Sequence, residues 1–204
     1  EDGGDPFEKN IKVVVAVALI GVGSLVPVLL KKRIEAIQKD LFIEFNKKNL
    51  NNLGGFTMGN LNVNQGKYGP KLFSLVFKKN LIKNFEIITG DKIDSFDVLY
   101  GGNLSLPNKG SQLFHTDGNY NQVMYLISFA TEDITKKNGP TEICLGTSIR
   151  PLKYWEFFIS EKKKKKILLK KEQVLIRKHN LWHRGTTNYS KKYFTLIKNG
   201  DKRF

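Results

Sequence analysis

The sequence predicts a mainly β domain with flanking helices, and three observations carry that reading. From about Ser95 the chain is a series of short runs rich in β-branched and aromatic residues: "FDVLYGGNLSL", "QVMYLISFA", "TEICLG", "QVLIRKH" and "YFTLIKN". Turn-forming clusters punctuate them, among them Gly101-Gly102, Asn138-Gly139-Pro140 and Asn199-Gly200, as expected between short antiparallel strands. The first third has a different texture, with apolar residues at helical spacing. Strands this short and this regularly interrupted build a sandwich, a jelly roll or a barrel. With 204 residues there is enough chain for one substantial core and too little for two ordinary domains. We therefore expect one domain: an N-terminal helical and strand segment, residues 1–94, packed on a β core, residues 95–204.

The elements follow in order. Residues 13–30, "VVVAVALIGVGSLVPVLL", form an uncharged stretch of 18 residues followed by Lys31-Lys32-Arg33. That length reaches the lower limit of a membrane span, with the basic flank on the cytoplasmic side. The preceding "EDGGDPFE" is acidic, which argues against a secretory signal. The alternative is a buried strand over residues 13–20, a glycine turn, and a helix opened by Pro27. Leu30, Ile34, Ile37, Leu41 and Phe45 mark one face of an amphipathic helix. That stripe runs straight through the lysines, where a span ending at Leu30 would not need it. Strand–turn–helix is the favoured expectation, and membrane association through residues 13–30 is its rival. Residues 46–70 are polar and glycine-rich and read as a long loop. Residues 71–89, "KLFSLVFKKNLIKNFEIIT", carry a helical pattern that should pack on the core.

The formal charge of +15 invites a nucleic-acid partner, but the basic side is almost all lysine. Arginine forks and stacking aromatics, which nucleic-acid recognition uses, do not cluster, and nucleic acid is not the expected partner. The run "EKKKKK", residues 161–166, reads as a solvated connection between two strands. Cys144 is the single cysteine. It excludes an internal disulfide and suits a reducing, cytoplasmic setting.

The chemistry gathers around "SQLFHTDGNYNQ", residues 111–122. In an extended segment, residues i and i+2 project to the same side, so His115 and Asp117 can address one point. The second stretch is "QVLIRKHNLWHRGTTNYS", with His183 where the strand "VLIRK" gives way to a loop. If that strand neighbours the one ending at His115, two imidazoles and a carboxylate converge. That is the ligand set of non-haem Fe(II) oxygenases. Without thiolate a zinc-finger site is excluded, while a catalytic zinc stays chemically allowed. His179 reads as an ordinary side chain and not a ligand.

Residues 102–198 resemble the phytanoyl-CoA dioxygenase family of Fe(II)- and 2-oxoglutarate-dependent oxygenases. The likeness runs through "NLSLPNKGSQLFHTDG", "LISFATEDITKKNGPTEICLGTS" and "QVLIRKHNLWHRGTTNYS". It implies a double-stranded β-helix (a jelly roll of cupin type) and iron ligands His115, Asp117 and His183. It also implies 2-oxoglutarate as cosubstrate, O2, and hydroxylation of a small organic substrate. Carboxylate at Asp117 matters, because related halogenases leave that position open for chloride. Two departures stand out. The family's arginine, eleven residues after the distal histidine, is here Phe194, and the histidine of its Gly-Ser/Thr-His segment is Ser148. Lys192 and Arg184 are the nearby cations that could take over the arginine's work. Asn103 and Gln112 are candidates to bind cosubstrate or substrate oxygens, with ordinary turn hydrogen bonding as their alternative. Two other functions fit the same residues: a non-catalytic β-barrel binding module that has lost its 2-oxoglutarate anchor, or a basic membrane-associated protein that binds anionic lipid or nucleic acid.

Overall fold

Ten strands in two antiparallel sheets make the body of the molecule in this computed structural model, which describes residues 16–18, 56–57, 60–63, 79–95, 97–118, 120–130, 132–160, 163–171, 173–191 and 194–202. The strands are β1 (Ala16–Ala18), β2 (Phe56–Thr57), β3 (Asn60–Val63), β4 (Asp97–Ser105), β5 (Met124–Ala130), β6 (Thr141–Cys144), β7 (Lys164–Lys166), β8 (Val174–Lys178), β9 (His183–Gly185) and β10 (Phe194–Lys202). The larger sheet has the order β1-β8-β5-β10-β4-β3-β2, and the smaller is β7-β6-β9. Ala130 and Leu175 of the large sheet and Ile143 of the small one share a buried cluster with Ile134, Ile167, Leu169 and Leu181. The two sheets therefore face each other across one core. This is the expected jelly roll, mainly β with few helices.

Each apolar run quoted above becomes a strand for a legible reason. β5 is buried at every position after Met124, because it is covered on both sides. One face looks into the core, and the other lies under α1 (Lys79–Thr89). Leu81 and Phe85, one turn apart, are the buried stripe of that helix, and Phe85 meets Tyr125 edge-on at 5.4 Å, a favoured aromatic geometry. The helix stops at Gly90, whose φ of +78° and N–H bond back to the Glu86 carbonyl at 2.9 Å form a glycine C-cap.

Four expectations change. Gly101-Gly102 and Asn199-Gly200, expected as turns between strands, lie inside β4 and β10, with Gly102 opposite Ile197 and Gly200 opposite Leu99. The segment expected as a loop, residues 46–70, contributes β2 and β3, which extend the large sheet from β4. The lysine run, expected as a solvated connection, contains a strand. β7 pairs with β6 and exposes all three lysines, because an edge strand tolerates and is protected by charge. His183 does not close the strand "VLIRK". β8 ends at Lys178, a turn through His179 and Asn180 carries the chain to the other sheet, and His183 begins β9. Within residues 13–30, β1 pairs with β8, Ala16 opposite Ile176, as the strand reading expects. The helix expected from Pro27 lies outside the described residues. Among the described residues no helix is long and apolar enough to cross a membrane.

The Asp133–Thr135 and Asn138-Gly139 segments form one hydrogen-bonded turn. The Asn138 side chain accepts the Thr135 N–H at 2.7 Å and donates to the Asp133 carbonyl at 2.8 Å. The Lys171 backbone N–H, and then the Lys170 ammonium, hold the Asp133 carboxyl below the usual aspartate range. Gly139 closes the turn at φ +81°, and a Cβ there would meet the Ser105 hydroxyl at 2.7 Å and the Thr186 carbonyl at 3.0 Å. Gly139→Ala should therefore destabilise the fold by about 1–3 kcal/mol. Thermal unfolding will show it as a drop of about 2–4 °C per kcal/mol in the midpoint.

Candidate metal centre

His115 and His183 stand directly opposite each other on adjacent strands. The segment before His115 pairs antiparallel with β9, and the two histidines exchange both backbone hydrogen bonds at 2.9 Å. The extended segment before His115 is thus bridged to β9 at this one point, and the two rings lie 4.5 Å apart. The sequence expected the neighbour of the His115 segment to be the strand "VLIRK"; it is β9 instead, while β8 lies in the large sheet between β1 and β5.

The backbone sets the proton positions. His115 Nδ1 lies 2.8 Å from the Leu113 carbonyl, and His183 Nδ1 lies 2.9 Å from the Leu181 carbonyl. A carbonyl oxygen can only accept, so each Nδ1 donates, and in the neutral ring the lone pair is then on Nε2. Both Nε2 atoms face Asp117. His183 Nε2 is 3.3 Å from Asp117 Oδ2, and His115 Nε2 is 3.8 Å from Oδ1. Asp117 is held in place through its N–H, which donates to the His179 carbonyl at 3.0 Å. The three ligand atoms lie within 4.8 Å of one another.

Two imidazole nitrogens and a carboxylate turned toward one another form a pocket that suits a cation. A buried one already answers. Arg177 of β8, 1% exposed, reaches from the large sheet to the small one. It donates to Asp117 Oδ2 at 2.6 Å and to His183 Nε2 at 2.9 Å. By the donor set the site fits a divalent ion with nitrogen and oxygen preference. The sequence did contain a signal for Arg177: a charge directly after the apolar run Val174–Ile176, at a strand position where burial requires a partner.

The other candidate residues fall elsewhere. Arg184 is one residue beyond His183, so it emerges on the opposite face of β9. There it pairs with Glu142 at 2.7 Å and lies over the Phe114 ring at 4.5 Å. The Gln112 amide oxygen accepts the Gly185 N–H at 2.7 Å, which completes the strand pairing. Asn103 stands in β4 opposite Leu196, and Phe194 opens β10 opposite Ser105. Lys192 lies outside the described residues. His179 bonds the Met124 carbonyl through Nδ1 at 3.0 Å and stands apart from the three ligand atoms. The Ser148 carbonyl accepts the Tyr120 hydroxyl at 3.1 Å, and burial pushes that hydroxyl's pKa up.

No protein-family model matches the chain, and no curated protein does. Solved structures do. AviO1 from Streptomyces viridochromogenes Tue57 superposes with a TM-score of 0.66 at 14% identity, over 85% of this chain and 84% of that one. SnoK, a non-heme alpha ketoglutarate dependent carbocyclase from nogalamycin biosynthesis, gives 0.67 at 13% identity, over 84% and 75%. SnoN, an epimerase solved with Fe3+, alpha ketoglutarate and nogalamycin RO, gives 0.62 at 9% identity, over 84% and 75%. At these identities the likeness is one of fold: the chain shares the architecture of a set of structures that includes non-heme alpha ketoglutarate dependent enzymes.

Proposed function

We propose that this protein is a non-haem Fe(II)- and 2-oxoglutarate-dependent dioxygenase, of the phytanoyl-CoA dioxygenase type, that hydroxylates a small organic substrate. The observation that carries the reading is the convergence of the His115 and His183 Nε2 lone pairs and the Asp117 carboxylate. The shared fold of SnoK and SnoN supports it. In this reading His115, Asp117 and His183 would hold the iron. The bound iron supplies the coupled oxidation in which 2-oxoglutarate and O2 become succinate and CO2 while a substrate C–H bond becomes C–OH.

The cosubstrate needs a cation for its carboxylate, and the family's arginine position is Phe194. Arg184 is committed to Glu142. Arg177 is buried and already beside the ligand set, and its planar fork matches a carboxylate in two-point contact. We assign it the anchoring role. Its guanidinium would turn from Asp117 to the cosubstrate as the metal takes over the negative charge of that carboxylate.

Anaerobic addition of Fe(II) and 2-oxoglutarate should give a weak visible charge-transfer band that neither component gives alone. Admitting O2 should convert 2-oxoglutarate to succinate. A protein that binds neither component under these conditions is a binding module and not an oxygenase.

A further inference from the structure

The second helix, α2 (Tyr154–Ile159), is turned inside out relative to an ordinary surface helix. It buries Phe157, stacked on Trp182 at 4.3 Å and within 5° of parallel. Trp155, Phe158 and Ile159 are 59%, 65% and 73% exposed. Their i, i+3, i+4 spacing puts all three on one side, where a surface helix normally carries charge. Tyr154 and Ile149 are exposed beside them.

The lysine strand reaches the same helix from its buried side. Lys164 Nζ lies 5.4 Å from the Phe114 ring and 5.9 Å from the ring of Phe157. Lys164 pairs with Cys144, which shares one apolar cluster with Phe157 and Trp182. Lys166 is on the same side of β7, and Arg150 and Lys153 are exposed at the approach to the helix. Among the described residues the nearby carboxylates are engaged, Glu142 by Arg184 and Glu156 by Arg150. Edge protection accounts for lysines on β7 but not for three large apolar side chains in water beside them.

We propose that this side of the molecule docks on an anionic phospholipid surface, with Trp155, Phe158 and Ile159 entering the headgroup–acyl boundary and Lys153, Lys164 and Lys166 flanking them on the lipid phosphates. Tryptophan at the interface and lysines with extended apolar stems are the chemistry such a surface rewards. A second copy is a poorer occupant. A twofold contact through this face would bring like-charged lysines together. Nucleic acid fits less well too, since an aliphatic tip such as Ile159 gains nothing from a phosphate backbone. The proposal does not rest on the oxygenase reading, and chelators should leave lipid binding unchanged.

The test is sedimentation of the full chain with vesicles of phosphatidylcholine alone or mixed equally with phosphatidylserine. Binding should require the anionic lipid. Lys164→Gln with Lys166→Gln should weaken it about fivefold per lysine. Phe158→Ser with Ile159→Ser should weaken it at least about tenfold. The chain has only two tryptophans, and Trp182 is buried under Phe157. Brominated lipid should therefore quench Trp155, and Trp155→Phe should abolish quenching while sedimentation largely persists. All these positions are exposed, so unfolding midpoints should match the parent. Equal binding by the parent and both double variants would place any membrane contact elsewhere in the chain and overturn the proposal. So would no binding, concentration-dependent dimerisation that shields Trp155 without lipid, or tight salt-sensitive binding to duplex DNA in place of vesicles.

Discussion

Asp117→Ala is expected to abolish the iron–2-oxoglutarate band and, in chelator-treated protein, to lower stability by about 3 kcal/mol. The first effect follows from removing one of three ligand atoms. Losing an outer-shell partner alone typically costs 10–100-fold in metal affinity, and a ligand should cost more. The second effect has a separate cause. Arg177 is 1% exposed and donates to Asp117 at 2.6 Å, so the variant strands a buried guanidinium with less compensation. The Asp117 side chain is 24% exposed, which places the cost at the lower end of the range for a broken buried pair. Titration calorimetry with Fe(II) or a redox-inert substitute reads the first effect, and denaturant unfolding reads the second. Full metal affinity in Asp117→Ala would remove the triad from the site.

Arg177→Met should separate what Asp117→Ala combines. Replacing the buried cation by a flexible apolar chain takes a donor from the partly solvated Asp117 and from the buried His183 Nε2. That loss should itself cost about 1–3 kcal/mol, less than Asp117→Ala because no buried charge is stranded. Metal affinity should hold or rise, because a positive charge next to the ligands is gone. Affinity for 2-oxoglutarate should fall about ten- to a hundredfold, the equivalent of one charge-assisted hydrogen-bonding contact. Arg177→Lys should recover part of it, as a point charge in place of a fork. The readout is a 2-oxoglutarate titration of the anaerobic band at saturating Fe(II), with metal affinity measured separately. Unchanged cosubstrate affinity in Arg177→Met would assign the anchor elsewhere, with Lys192 next to be tested. Combining Asp117→Ala with Arg177→Met should restore part of the stability that Asp117→Ala loses, since no stranded charge remains.

Much of this protein was legible in the chain itself. β-Branched and aromatic runs marked β4, β5, β6, β8 and β10, because side-chain period acts locally. Gly101-Gly102 and Asn199-Gly200, read as turns, lie instead inside β4 and β10, where pairing with the neighbouring strands overrides the turn preference. His115 and Asp117 were readable as a pair for the same reason: two residues apart in an extended segment is a local geometry. The loop reading of residues 46–70 missed β2 and β3, whose pairing with β4 is a contact at long range. The lysine strand was hidden likewise, since nothing in five consecutive lysines announces the partner strand that orders them.

The remainder was decided by tertiary structure. Only the crossing from β8 to β9 brings His183 opposite His115, and only the facing of two sheets lets Arg177 reach both Asp117 and His183. It likewise decided that Arg184 turns away, because neighbours along a strand point to opposite faces. Spacing along a chain specifies which side chains can share a face. Which faces then meet is set by burial of the whole apolar core, a sum over many residues that no short motif contains.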